Sequence, residues 1–157
     1  MARDLNGAPL TSGDSVLRRL FRRDRAEDDL DVDDPSLVVV AVSDDPAASS
    51  GAVLEASAFV ADRQAVLRHV LVLPDRSVDA VLDLAAQAGY RPTDVLPPAL
   101  GADLDAGSRC VVLARPQLVD ALHCSQERSR MAGLTARHDG EVLAWEVLQA
   151  PVDRVTG

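Results

Sequence analysis

HVLVLPDRSVDAVL, His69 to Leu82, returns 41 residues later without a gap as CVVLARPQLVDALH, Cys110 to His123. Each copy opens on a short apolar run, breaks at a turn containing proline, and enters a helix through Val-Asp-Ala-Val or Val-Asp-Ala-Leu. Each helix is then expected to close on Ala-Gly plus an apolar residue, Ala88-Gly89-Tyr90 and Ala132-Gly133-Leu134. Two strand–helix units, each followed by a further extended stretch, spell βαββαβ. That architecture carries many unrelated functions, so it names none by itself.

Working outward, Val66 to Leu73 predicts the first strand of the repeat, with Pro74-Asp75-Arg76 as its turn. Ser77 has the hydroxyl of an N-cap, and Asp79 in the first turn suits the helix dipole. Val78, Val81, Leu82, Ala85 and Ala88 form the buried stripe. Gly89 supplies the left-handed residue that ends a helix, with Tyr90 packing back on the last turn. A short strand near Arg91 to Val95 precedes a loop rich in Pro, Gly and Asp. Arg109 to Ala114 predicts the next strand and Gln117 to Ala132 the second helix, with Leu118, Val119, Leu122 and Met131 inward and Gly133 ending it. After the turn at Asp139-Gly140, Val142 to Leu148 alternates as a last strand. Upstream, Leu37 to Val42 is a continuous β-branched run and predicts a buried strand. The stretch 49–63 leans towards helix from a cap at Ser49 or Ser50, although Ala56 to Ala61 also suits a strand.

Three parts follow: a charged, flexible arm over 1–36, one α+β domain over 37–150, and a tail over 151–157. In the arm, Asp14 or Ser15 can cap a short helix bearing Val16, Leu17, Leu20 and Phe21 on one side. Arg18, Arg19, Arg22, Arg23 and Arg25 occupy the rest of the wheel. An acidic run from Glu27 to Asp34 comes next. Opposite charge blocks this close neutralise one another, and such runs are usually solvated. The alternative is a basic amphipathic segment lying on anionic lipid or against an acidic partner.

All sixteen basic residues are arginine, against 25 acids, for a net charge of −9. The missing lysine reads as codon bias of a GC-rich bacterial genome. So acidic a chain, with four aromatic residues (Phe21, Phe59, Tyr90 and Trp145), offers neither counterion release nor a stacking platform, so no direct nucleic-acid contact is expected. Acidity fits solubility, or a basic protein partner. Cys110 and Cys124 read as buried free thiols in a reducing compartment. The start MARDLNGAPL has no apolar signal region and no run spans a membrane, so a cytoplasmic location is expected.

The chemistry-bearing residues do not converge. His69, His123, His138, Cys110 and Cys124 show neither CxxC nor HxxxH spacing, so no metal is expected. Cys124 has no oxyanion-hole or elbow sequence beside it. Isolated glycines make no phosphate loop, so no cofactor is expected. Asp75, Asp79 and Asp83, spaced by four, form one acidic stripe, read as solvated surface or as a contact for an arginine-rich partner. Trp145 reads as packing.

Arg68-His69-Val-Leu-Val-Leu-Pro74-Asp75, the helix closing on Ala88-Gly89-Tyr90, and His138-Asp139-Gly140 followed by Trp145 carry a resemblance. Residues 68–146 resemble the ribonuclease E inhibitor family, regulator of ribonuclease E activity B. His138 replaces the family's tyrosine, Trp145 is displaced by four residues, and the N-terminal half is unmatched. The resemblance implies a small acidic cytoplasmic protein of ferredoxin-like fold that binds and restrains a ribonuclease and is not an enzyme. The pattern of elements independently predicts a ferredoxin-like α+β sandwich with an extra N-terminal strand. The expected function is therefore a non-catalytic regulatory or adaptor protein, with Leu17, Arg18, Leu20, Phe21, Arg22, Asp75, Asp79 and Asp83 as partner-binding residues. Two alternatives stand beside it: an ACT-like small-molecule sensor, and a peripheral membrane accessory subunit using the arm. A homodimer is left open.

Overall fold

A computed structural model describes residues 2–9, 30–95 and 104–152. The described elements are β1 (Val38–Ser43), α1 (Ser50–Glu55), β2 (Ala65–Pro74), α2 (Val78–Gln87), β3 (Arg91–Pro92), β4 (Ser108–Gln117), α3 (Ala121–Ala136) and β5 (Glu141–Gln149). The strands form one five-stranded antiparallel sheet in the order β1-β5-β2-β4-β3. The crossover carrying α2 steps over β4, and the one carrying α3 steps over β2. The chain is thus α+β, with the two repeat strands β2 and β4 side by side in the centre.

The period-2 alternation of β2 divides the molecule into layers. Leu67, Leu71 and Leu73 point at the helices, where Leu71 and Leu73 meet Val78, Val81, Met131 and Leu134. Leu67 and Ala65 meet Leu54, Cys124, Trp145 and Val147. On the opposite face Val66 packs with Val32, Leu37, Ala114 and Leu148. Each large apolar side chain so buried contributes about 1.5–3 kcal/mol. That face also holds Arg68, which donates through Nε to Glu146 Oε2 at 2.9 Å and through Nη2 to the same oxygen. The two residues are register partners on neighbouring strands, both about as buried as the core around them.

Several expectations need correcting. The Leu37 run forms an edge strand: Val38, Val39 and Val42 are 43%, 45% and 55% exposed. A continuous apolar run cannot distinguish centre from edge, and β1 pairs only with β5. Val40 is the extra residue of a bulge, and its carbonyl accepts from Ala58 N–H at 3.2 Å. The 49–63 stretch is helical only over Ser50–Glu55, capped by Ser49.

Ser77 does not cap α2. A 3₁₀ turn, Asp75–Ser77, already runs into the helix and leaves Ser77 in helical dihedrals. Gly89, at φ +83°, does end α2, with Tyr90 N–H reaching Ala85 O at 3.1 Å.

The second unit is shifted. Pro116 lies inside β4 opposite Val66, because β3 pairs only with Leu113 and Ala114 and leaves that end of β4 without a second neighbour. Asp120 then becomes the N-cap of α3, and Gly133 falls within the helix, which runs on to Ala136. Leu122 is 62% exposed instead of inward, and the buried stripe is Cys124, Glu127, Met131, Leu134 and Thr135. The strand expected over 91–95 is two residues long.

The packed body also extends upstream of Leu37. Val32 is buried, and residues 2–9 form a turn tied down by Leu118 N–H to Asp4 O at 3.1 Å and by Gln64 to both backbone groups of Arg3.

Candidate functional site

The helix layer covers a chain of polar groups rather than a wholly apolar core. His69 sits at the middle of β2, fully buried. Tyr90, delivered by the turn at Gly89, brings its hydroxyl to 3.4 Å from His69 Nε2 and donates to Glu127 Oε2 at 2.8 Å. The other carboxylate oxygen of Glu127 faces two cations, Arg115 Nη2 at 3.5 Å and Arg130 Nε at 3.4 Å. The Arg115 guanidinium lies over the Tyr90 ring at 4.5 Å. Its Nη1 donates to Ala88 O and its Nε to Gln117 Oε1. Gly7 closes the far side: a Cβ there would stand 2.6 Å from Arg115 Cδ, and φ +74° lets the N-terminal turn lie flat on the side chain. A cleft of about 330 Å³ opens beside this group, between the N-terminal turn, the end of α2 and α3.

Burial sets the protonation states. His69 is pushed down to about 3 by burial and by Arg115 and Arg128, and is a neutral imidazole at any physiological pH. Burial raises the Tyr90 phenol, with Glu127 adding to it, so it stays a donor. Burial lifts the Cys124 thiol to about 11, and Cys110 is raised for the same reason. Neither thiol is poised as a nucleophile. Cys110 is only partly buried, a correction to the reading of two buried thiols.

A second cleft, of about 400 Å³, lies between the β1–α1 loop, α3 and β5. Arg128 spans it, donating to Ala48 O at 2.8 Å and Ser50 Oγ at 3.0 Å, with its guanidinium 5.2 Å from the centre of the buried Trp145 ring. Ser125 and Ser129 line the helix side.

The acidic residues singled out from the sequence do not join either cleft. Asp79 and Asp83 are exposed on the outer face of α2. Asp75 belongs to the 3₁₀ turn and pairs with Arg109 at 3.3 Å, so the stripe of three is a helical pair plus a turn residue. Leu17, Arg18, Leu20, Phe21 and Arg22 lie outside the described residues. His69, His123 and His138 lie apart, and among the described residues no group of three or more His, Cys, Asp or Glu is placed to hold a metal ion. Also among them, no helix is long and apolar enough to cross a membrane.

Arg115, Glu127 and Glu146 went unnoticed in the sequence, and Arg68 entered only as part of the resemblance, yet the arginines and Glu127 each leave a signal. The arginines interrupt apolar strands. Glu127 shares a helical stripe with Cys124, Met131 and Leu134 at spacings of three, four and three. Family models, curated proteins and solved structures contain no match to this chain.

Proposed function

We propose that this chain is a non-catalytic regulatory or adaptor protein that acts by contact with another protein. The carrying observation is the outermost strand. Val38, Val39 and Val42 stand 43–55% exposed on a strand without a charged residue, followed directly by exposed Asp44 and Asp45. Apolar side chains with acids at one end suit a partner segment that is apolar along its length and basic at the matching end. The contact runs through side chains more than through sheet extension, since Ala58 already occupies the Val40 carbonyl. Asp79 and Asp83 on α2 offer a second acidic contact.

The scaffold belongs with this reading. The order β5-β2-β4-β3, both crossovers skipping a strand, supports a ferredoxin-like core with β1 added beside β5. Ribonuclease restraint is the particular regulation that the resemblance over 68–146 suggests. The buried, neutral state of His69 and the high thiol values support a role without chemistry of its own.

Affinity purification of the tagged full-length protein tests the proposal. The expected result is a stoichiometric partner retained by the wild type and lost from Val39→Asp/Val42→Asp, both exposed and so tolerated by the fold. Retention of the partner by that variant and its loss from Asp79→Arg/Asp83→Arg moves the contact to α2. No partner with any form, while a small molecule co-elutes, favours the sensor reading, for which the 400 Å³ cleft at Arg128 and Trp145 is the supporting feature.

A further inference from the structure

We propose that the cleft beside Arg115 binds a small oxyanion, a phosphate or carboxylate group, held between Arg115 on its floor and Arg130 at its mouth. In a chain of net charge −9 this cleft carries the opposite sign locally. Two guanidinium groups face one oxygen of Glu127, while the second oxygen is taken by Tyr90. A third cation, Arg3, stands alongside, donating to Gly7 O at 2.7 Å. The nearby acids are Asp4, whose Oδ1 accepts from the N–H groups of Asn6 and Ala8, and Glu127, so three arginines stand against two carboxylates.

Arg115 Nη2 is the decisive atom. The side chain is 3% exposed, and among the described residues Nη2 has no hydrogen-bond acceptor. A guanidinium nitrogen kept from water with only the long ion pair to Glu127, at 3.5 Å, is incompletely satisfied, and a charge-assisted bond to an anion relieves that cost. Arginine's planar fork suits two oxygens of one phosphate or carboxylate. Asn6 and Gln87 line the same cleft and supply neutral donors. A volume of about 330 Å³ exceeds one bare anion and fits a small monoester or a dicarboxylate. The cleft is walled by the N-terminal turn, the end of α2 and α3, so an occupant links three separate parts of the chain. This site is independent of the partner contact proposed above, and its test needs the purified chain alone.

The experiment titrates inorganic phosphate, and in a separate arm succinate, into the full-length protein at constant ionic strength, followed by calorimetry. One-site, saturable binding is expected with at least one anion, and the arm that saturates tells phosphate from carboxylate. Arg130→Gln should weaken it at least tenfold. Arg109→Gln, whose side chain is 60% exposed against 59% for Arg130, removes an equally accessible arginine at the other end of β4 and should leave it unchanged. Arg130 is used because Arg115 is bound into the core and its loss could unfold the chain. Failure of both anions to saturate overturns the proposal, as does equal weakening by the two substitutions.

Discussion

The Tyr90 hydroxyl donates a hydrogen bond to Glu127 Oε2 at 2.8 Å, and this bond fastens the end of α2 to the middle of α3. Both residues are buried, and both lie beside the same arginine. The contact between the helices therefore combines this polar bond in a low dielectric with the apolar packing of Val81 and Ala85 against Met131 and Leu134.

Removing that hydroxyl is the first expected consequence. Tyr90→Phe keeps the ring under Arg115 but leaves one carboxylate oxygen of Glu127 without its donor. Urea unfolding should show a loss of about 1–3 kcal/mol. A midpoint equal to wild type would mean that water replaces the phenol.

Arg68 and Glu146 give a sharper case. Arg68→Leu strands a buried carboxylate and should cost about 3–5 kcal/mol, whereas Arg68→Leu/Glu146→Leu should recover most of it. A full double-mutant cycle in denaturant measures the coupling. Additive losses would contradict a tight pair.

His69 makes stability depend on pH. Its folded-state value near 3 lies below the ordinary 6.5, so between the two the unfolded chain holds a proton that the folded chain lacks. The contribution is intact above about 6.5 and drains away as pH falls towards 3, at no more than about 1.4 kcal/mol per pH unit. Measured from pH 6.5 to 5, above most carboxylate titration, stability of the wild type should fall more steeply than that of His69→Gln. Parallel slopes would show that the imidazole is protonated in the fold.

Two glycines should answer differently to alanine. At Gly140 a Cβ would lie 2.5 Å from the Val72 carbonyl oxygen and from Leu73 Cδ2, so backbone must move and the cost should reach about 3 kcal/mol. Gly107 has φ +85° but nothing within 4 Å, which leaves only the left-handed penalty of about 1–2 kcal/mol. Thermal unfolding of both variants ranks them. The reverse order would show that the Asp139-Gly140 turn shifts freely.

The α3 stripe can be tested in the same way. Met131→Ala should lose about 2–5 kcal/mol, while Leu122→Gln should change stability by less than about 0.5 kcal/mol. A large loss at Leu122 would return it to the inward face expected from the repeat.

What the sequence determined by itself was local and periodic. The apolar run through His69 to Leu73, the stripe Val78, Val81, Ala85 and the positive-φ glycine at Gly89 each need only neighbouring residues to be read. The repeat then fixed two strand–helix units, because such a unit has few ways to bury its apolar side. Tertiary structure decided the rest. Whether Leu37 to Val42 lies at the centre or edge depends on whether a second strand pairs with it, and nothing within the run encodes that. Where α3 starts depends on how far β4 stays paired with β2, which carried Pro116 into the sheet and moved the cap to Asp120. The polar cluster is the extreme case. Tyr90, Arg115 and Glu127 come from three elements and sit far apart in the chain. Their charges and hydroxyl acquire a shared site only once the sheet and both helices have removed the water between them.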